Sequence, residues 1–104
     1  MNIEVTFRHM NSSDALRSYV EDKLDKLDKL LVEPVNVHVV LSVEKIRQIA
    51  EITLHTKDFS ANALEESNDL YASIDLAMDK LDIQVKKHKE KIKNHKLEPY
   101  RAEV

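Results

Sequence analysis

The amino-acid sequence predicts an α+β fold with the order β-α-β-β-β-α, in which two helices pack on one face of a four-stranded, mostly antiparallel sheet. Two observations carry this prediction. Four segments alternate apolar and polar residues, which is the pattern of a strand that buries one face. Two longer segments space their apolar residues by three or four positions, which is the pattern of a helix that buries one face.

The strands are predicted from their period of two. The chain contains no glycine, the residue that tight hairpin turns favour because it readily adopts positive φ. We therefore expect the connection at 44–48 to be a longer, mobile loop. The buried positions are expected to be Ile3, Val5 and Phe7 in the first strand, Val35, Val37, Val39, Leu41 and Val43 in the second, Ala50, Ile52 and Leu54 in the third, and Phe59, Ala61 and Ala63 in the fourth.

The helices are predicted from apolar stripes with a period of 3.6 residues. The first helix follows Ser13, the expected N-cap, and is expected to end at Glu33 and Pro34, because proline cannot donate a hydrogen bond to the preceding turn. The second helix is expected to run from Asp69 to about Lys96. The stripe of the first helix consists of Leu16, Val20, Leu24, Leu27 and Leu31.

Length and composition predict a single domain. Of the 104 residues, 42% are hydrophobic, which is enough for one core and too few for two ordinary domains. We expect residues 1–96 to form this domain and residues 97–104 to be a short flexible tail. The chain has no cysteine and no apolar segment of about 20 residues, so neither disulfides nor membrane spans are expected. The expected location is the cytoplasm.

The sequence predicts no catalytic group, no cofactor and no metal site. The glycine-rich loops that bind nucleotide phosphates are excluded, because glycine is absent. His38 and His55 could share a sheet face near Glu51, but no further histidine or thiolate accompanies them at metal-ligand spacing. Glu65 and Glu66 are expected where the second helix begins, favouring its positive end. An enzyme with a small-molecule substrate is therefore not expected.

Charge is distributed unevenly along the chain. Residues 1–85 contain nine Lys or Arg against sixteen Asp or Glu, a balance of −7. Residues 86–104 contain seven against three, a balance of +4, and the two balances sum to the net charge of −3. The end of the second helix is thus predicted to be a positive pole that attracts a polyanion.

Each helix is also predicted to carry a basic flank beside its buried stripe. If the two flanks met in a shared groove or ridge, they could contact several phosphates of a nucleic acid. Alternatively, the lysines only complement the helix dipole and keep the protein in solution. At about 100° per residue, the basic flanks consist of Lys23, Lys26 and Lys29 in the first helix and of Lys80, Gln84, Lys87 and Lys91 in the second. The other side of the second helix carries Asp75, Asp79, Asp82 and Glu90.

Several segments match a known family in combination. They are Asp69-Leu70-Tyr71-Ala72-Ser73-Ile74-Asp75, Asp79-Lys80-Leu81, Lys86-Lys87-His88-Lys89, Val39 to Lys45, Ile52 to His55, and Ala15 to Leu27. These segments resemble the ribosome hibernation-promoting factors, formerly called sigma-54 modulation proteins, and the resemblance covers residues 1 to about 96. The chain resembles the short forms, because it has no room for the C-terminal dimerisation domain of the long forms.

The resemblance implies a fold similar to a double-stranded-RNA-binding domain, lodged in the decoding channel of the small ribosomal subunit. Messenger and transfer RNA would then be excluded and translation inhibited. It leaves open whether the protein promotes ribosome dimers together with ribosome modulation factor or keeps single ribosomes inactive. No membrane and no small-molecule substrate is implied. The implied contacts to ribosomal RNA are Lys23, Lys26, Lys29, Lys80, Lys86, Lys87, Lys89 and Lys91.

Two alternatives remain open at this point. One is a protein-interaction module that modulates transcription, the role behind the older family name. The other is a stand-alone duplex-RNA binder, which would bind any A-form helix without depending on ribosomal architecture. The acidic net charge departs from the usual RNA binder, and Ser67-Asn68 replace a glycine that the family often has before the second helix.

Overall fold

The structure is a computed structural model that describes residues 1–31 and 34–103, with the side chains of the last helix described as far as Lys91. The element order confirms the prediction. The elements are β1 (Asn2–Arg8), α1 (Asp14–Asp28), β2 (Asn36–Glu44), β3 (Arg47–His55), β4 (Ser60–Ser67) and α2 (Leu70–Glu103).

The four strands form one sheet in the order β1-β2-β3-β4. β1 and β2 are parallel, because α1 connects them as a crossover, and the other two pairs are antiparallel. The register aligns Val5 with Val39, Val39 with Ile52, and Ile52 with Ala63. These residues all point to the face that the helices cover, as their period of two predicts.

One hydrophobic core lies between the helices and this face of the sheet. Residues of both helices and of β2, β3 and β4 are fully buried in it, whereas the apolar residues of β1 are half-buried. Each buried Leu, Ile or Val contributes roughly 1.5–3 kcal/mol relative to an exposed one. The largest fully buried residues are Leu24, Leu41, Ile52, Leu54, Ile74, Leu81, Val20, Val39 and Val85.

The start of α1 confirms the predicted cap, but its end does not. Ser13 Oγ accepts a 3.2 Å hydrogen bond from the backbone N–H of Leu16. The helix ends at Asp28, well before Pro34, because the backbone N–H of Leu31 bonds to Asp28 three residues back rather than to Leu27. The predicted stop at Glu33 lies outside the described residues.

The predicted long loop at 44–48 is wrong. β2 and β3 are joined by a two-residue turn, with Glu44 opposite Arg47. Lys45 takes the positive φ of 57° that the turn needs, although it is not glycine. A side chain in this region costs about 1–2 kcal/mol. The pairing of the long strands on either side offsets this cost.

Helix α2 begins close to its predicted start and ends later than predicted. The backbone N–H of Leu70 donates to Gln48 Oε1 at 2.9 Å, which fixes the N-terminus of α2 beside the start of β3. The helix extends to Glu103 rather than about Lys96. The flexibility of 97–104 stays a prediction, and residue 104 lies outside the described residues.

Candidate nucleic-acid interface

The end of α2 leaves the core and carries exposed lysines. Val85 is the last fully buried residue that the structure describes on this helix. At about 100° per residue, the lysines that follow are spread over about 200° of the helix circumference. They therefore form a positive surface on the solvent side of the helix rather than a single row. These exposed lysines are Lys86, Lys87, Lys89 and Lys91.

The lysines of α1 lie elsewhere. Lys23 faces α2, with its Nζ 3.4 Å from Asp75 Oδ1, and its pKa is raised mainly by the charge of Asp75. Lys26 is exposed and lines the cleft between the helices. Lys29 is the exposed C-cap of α1. Of these three, only Lys23 is held by a described carboxylate within 4.0 Å.

The flank of α2 that begins with Lys80 faces β4, on the side away from α1. Lys80 Nζ lies 3.1 Å from Glu65 Oε2 in β4. One turn later, Gln84 Nε2 donates to the backbone carbonyl of Asn62 at 2.9 Å. Glu65 therefore belongs to the sheet edge, and the prediction that it lies at the start of α2 is wrong.

The neighbouring Glu66 also lies in β4 rather than at the helix start. Arg47 donates two hydrogen bonds to it, at 2.7 and 3.1 Å. This hydrogen bonding lowers the pKa of Glu66 below its ordinary value. The two carboxylates that the sequence placed at the helix dipole are thus partners of cations on other elements.

The two basic flanks do not meet in a shared groove. Instead, the basic flank of α1 meets the acidic flank of α2, and the cleft between the helices is lined by Lys23 and Lys26 on one side and by Asp75, Asp79 and Asp82 on the other. A helical wheel gives angles about one helix axis and does not say which flank turns toward a neighbour. The hypothesis of a joint basic groove is therefore wrong.

Tyr19 reinforces this contact between the helices. Its hydroxyl donates a 2.5 Å hydrogen bond to Asp75 Oδ1, which raises the pKa of Tyr19 because the bond needs the protonated phenol. Its ring packs against the Tyr71 ring in a T-shaped arrangement with centroids 4.9 Å apart, and Lys23 Nζ lies 5.4 Å from the centre of the Tyr19 ring. Lys23 is thus held within the protein by both a carboxylate and an aromatic face.

Ion pairs divide the eight predicted lysines into two groups. Three are paired: Lys23 with Asp75, Lys80 with Glu65, and Lys86 with Asp82 at 2.8 Å. For the other five, no carboxylate among the described side chains lies within 4.0 Å. Three of those five lie beyond Val85 on α2. They are Lys87, Lys89 and Lys91.

Two contacts that the sequence did not predict attach α2 to the sheet side where its lysine segment, residues 86–91, begins. The rings of Phe59 and His88 stack, with centroids 4.1 Å apart and planes at 15°. Gln84 also accepts a 3.4 Å hydrogen bond from the backbone N–H of Asn62, in addition to the bond that it donates. The apolar pattern predicts Phe59 as a buried residue of the fourth strand, but Phe59 lies just before β4 and is half-buried, and no pattern pairs it with His88.

The sheet face opposite the helices holds His38 and His55. His38 Nε2 lies 2.9 Å from Thr6 Oγ1, and His55 Nδ1 lies 2.9 Å from Ser60 Oγ. Within residues 1–31 and 34–91, no three His, Cys, Asp or Glu side chains are grouped as metal ligands would be. In the same part of the chain, no helix is long and apolar enough to cross a membrane.

Comparison with known proteins gives matches that cover most of the chain. The ribosome hibernation promoting factor of Azotobacter vinelandii is 42% identical over 91 residues, which is 88% of this chain and 85% of that protein. The N-terminal domain of Thermus thermophilus Protein Y superimposes with a TM-score of 0.80 at 39% identity, covering 85% of this chain and 99% of that domain.

A second solved structure has the same fold. It is a ribosomal subunit interface protein from Coxiella burnetii, with a TM-score of 0.75 at 30% identity, covering 86% of this chain and 99% of that one. The model of the family described as sigma 54 modulation protein / S30EA ribosomal protein matches residues 3–93. This match includes all eight candidate lysines and residues of every element, with α2 covered as far as residue 93. The chain therefore belongs to the sigma 54 modulation protein / S30EA ribosomal protein family.

Proposed function

We propose that this chain is a ribosome hibernation factor that binds the small ribosomal subunit in its decoding channel, excludes messenger and transfer RNA, and so inhibits translation. The relatives named for ribosome hibernation, which match over most of their length, support the general role. The proposed mode of binding rests on the exposed lysines at the end of α2, which are Lys86, Lys87, Lys89 and Lys91. The role is one of occupancy in the cytoplasm and needs no catalysis.

The ion pairs among the described side chains rank the lysines by how readily each one can contact RNA. Lys87, Lys89 and Lys91 can contact phosphates without first breaking an ion pair with a described side chain. Each phosphate that they neutralise releases condensed counterions, which favours binding. Lys23, Lys80 and Lys86 first give up an exposed ion pair, which is weak because water screens it, so their net contribution is somewhat smaller. Lys26 and Lys29, on α1, contact RNA only if the channel wraps around both helices.

The acidic remainder of the molecule contributes to specificity. Residues 1–85 carry a balance of −7, which repels RNA from the rest of the surface. Binding then requires a cleft whose shape admits the basic segment while keeping phosphates away from the acidic surfaces. We propose that residues 1–96 suffice for this binding and that the tail at 97–104 influences only whether ribosome modulation factor can pair the ribosomes.

Sucrose-gradient cosedimentation tests this proposal. The purified protein is sedimented with small subunits, large subunits and intact ribosomes, with and without transfer RNA as a competitor. We expect comigration with small subunits and intact ribosomes, reduced by transfer RNA. Comigration that transfer RNA leaves unchanged would contradict the decoding channel as the site.

Two further results of the same experiment would favour the alternatives. Equal affinity for an unrelated RNA duplex would indicate a stand-alone duplex binder. Absence of comigration with any ribosomal particle would overturn the proposal and favour the protein-interaction module. A shift of intact ribosomes to a dimer peak on adding ribosome modulation factor would assign the dimer-promoting role.

A further inference from the structure

The lysine segment of α2 is attached to the core at one end. The helix packs on β3 and β4 through buried residues that end with Val85. At 1.5 Å per residue, Lys91 lies about 9 Å beyond Val85 along the axis. A small tilt of the helix near Val85 would therefore displace these lysines relative to fixed phosphates.

Two contacts lie near Val85, on the flank of α2 that faces β4. Gln84 bonds to both backbone groups of Asn62. His88, one turn further, stacks on Phe59, which lies between β3 and β4. The first contact lies level with Val85, and the second lies beyond the last fully buried residue. The stack thus lies one turn further along α2 than the hydrogen bonds of Gln84.

Phe59 is itself firmly held. Its backbone carbonyl accepts hydrogen bonds from the N–H of Thr56 at 2.7 Å and from Thr56 Oγ1 at 3.1 Å. Its ring is half-buried and packs against the hydrophobic core. A ring fixed in this way gives His88 a rigid surface, and a near-parallel stack resists both tilt and rotation of the helix.

We infer that Phe59 and His88 are positioning residues, which set the direction in which the lysine segment leaves the core and thereby align Lys87, Lys89 and Lys91 with the phosphates that they contact. This inference rests on the proposed binding of ribosomal RNA. Neither ring needs to touch RNA. The stack removes, before binding, conformational freedom that the complex would otherwise have to remove.

Salt dependence separates a positioning residue from a phosphate contact. Removing one phosphate contact lowers the slope of log affinity against log salt by about 0.7–0.9. Removing a positioning contact lowers affinity at every salt concentration and leaves the slope unchanged. We therefore measure small-subunit affinity between about 50 and 200 mM salt for wild type, His88→Ala, His88→Phe and Lys89→Ala. Leu76→Ala, at an exposed position on the outer side of α2, is the matched helix control.

We expect His88→Ala to lose affinity by roughly three- to tenfold, the range that an aromatic pair supports, with the wild-type slope. His88→Phe keeps a ring on Phe59 and should restore most of this affinity. Lys89→Ala should lower the slope, and Leu76→Ala should bind like wild type. Wild-type affinity of His88→Ala, or a slope reduced as in Lys89→Ala, would overturn the inference.

Hydrogen exchange in the free protein tests the positioning contact independently of the ribosome. We expect the backbone amides of 86–91 to exchange faster in His88→Ala than in wild type and at the wild-type rate in His88→Phe. Unchanged exchange in His88→Ala would overturn the inference even if the ribosome binds. A different outcome is that His88→Ala exchanges faster as expected but the wild-type protein does not bind small subunits. The stack would then still hold the helix, whereas the proposed function and the alignment of the lysines with RNA phosphates would both be overturned.

Discussion

The hydroxyl of Tyr19 in α1 donates a hydrogen bond to Asp75 in α2, and Lys23 approaches the same carboxylate oxygen at 3.4 Å. This contact joins the two helices across their cleft. It also means that Lys23, unlike Lys26 and Lys29 on the same flank of α1, is already paired with a carboxylate of the protein. The positive charge of Lys23 is balanced by Asp75 at a partly exposed site, whereas Lys87, Lys89 and Lys91 on α2 have no carboxylate of a described side chain within 4.0 Å.

Replacing Tyr19 with Phe should lower the free energy of unfolding by about 0.5–1 kcal/mol, because the hydrogen bond to Asp75 is lost while the ring remains. Urea denaturation with an unchanged m-value measures this. Tyr71→Phe is the matched control, because its ring contacts Tyr19 and its hydroxyl has no hydrogen bond to a described side chain. It should stay within about 0.5 kcal/mol of wild type. Equal losses in the two variants would mean that the Tyr19 hydroxyl contributes nothing specific.

The same contact predicts a loss of stability in alkaline solution. The pKa of Tyr19 lies above its ordinary value of 10.0 because the protonated phenol donates to Asp75, and that of Lys23 lies above 10.5 because Asp75 favours its charge. Both groups hold their protons more tightly in the folded state. Their contribution is therefore fully present below pH 10 and is lost as the pH rises through the folded values.

Unfolding free energies at about pH 9 and about pH 11 should thus differ more in wild type than in Asp75→Asn. The amide keeps the shape of the carboxylate and removes its charge. A difference of the same size in both proteins would show that alkaline destabilisation arises from other groups.

A glycine in the turn between β2 and β3 should make the folded protein more stable. Lys45 adopts a φ of 57°, so Lys45→Gly should raise the free energy of unfolding by about 0.5–1 kcal/mol. Ile46→Gly is the neighbouring control: Ile46 is 84% exposed and does not have positive φ, so this change should be destabilising. Thermal denaturation compares the two. A lower melting temperature for Lys45→Gly would contradict the assigned turn geometry.

The fold follows from local patterns. The residues that alternate in β2, such as Val39 and Leu41, are buried as their period predicts, and Ser13 caps α1 through its hydroxyl. The sequence does not predict the turn at Lys45, because the rules for tight turns rely on residues that adopt positive φ at low cost. Lys45 adopts positive φ although it is not such a residue, and the pairing of the flanking strands offsets the cost.

The candidate site was predictable only in part. The exposed lysines beyond Val85 follow from charge and period alone. The pairing of Lys80 with Glu65 and the stack of His88 on Phe59 depend on which side of α2 turns toward β4. That choice is made by the packing of the whole helix on the sheet, and no local pattern in either segment encodes it.

The most direct test of the central claim is the affinity of two charge-matched double variants for isolated small subunits. One variant is Lys87→Glu with Lys91→Glu, on the exposed segment of α2. The other is Arg8→Glu with Lys45→Glu, at the opposite end of the sheet, where β1 and β2 end. Each variant changes the net charge from −3 by −4, to −7.

We predict that the α2 variant binds at least roughly tenfold more weakly at about 0.1 M salt and has a smaller salt slope, because two phosphate contacts are lost. The control variant should bind within about twofold of wild type, and both should keep the wild-type circular dichroism spectrum. Equal weakening of the two variants would mean that only net charge matters. Unchanged binding of the α2 variant would contradict the assignment of the interface to this helix.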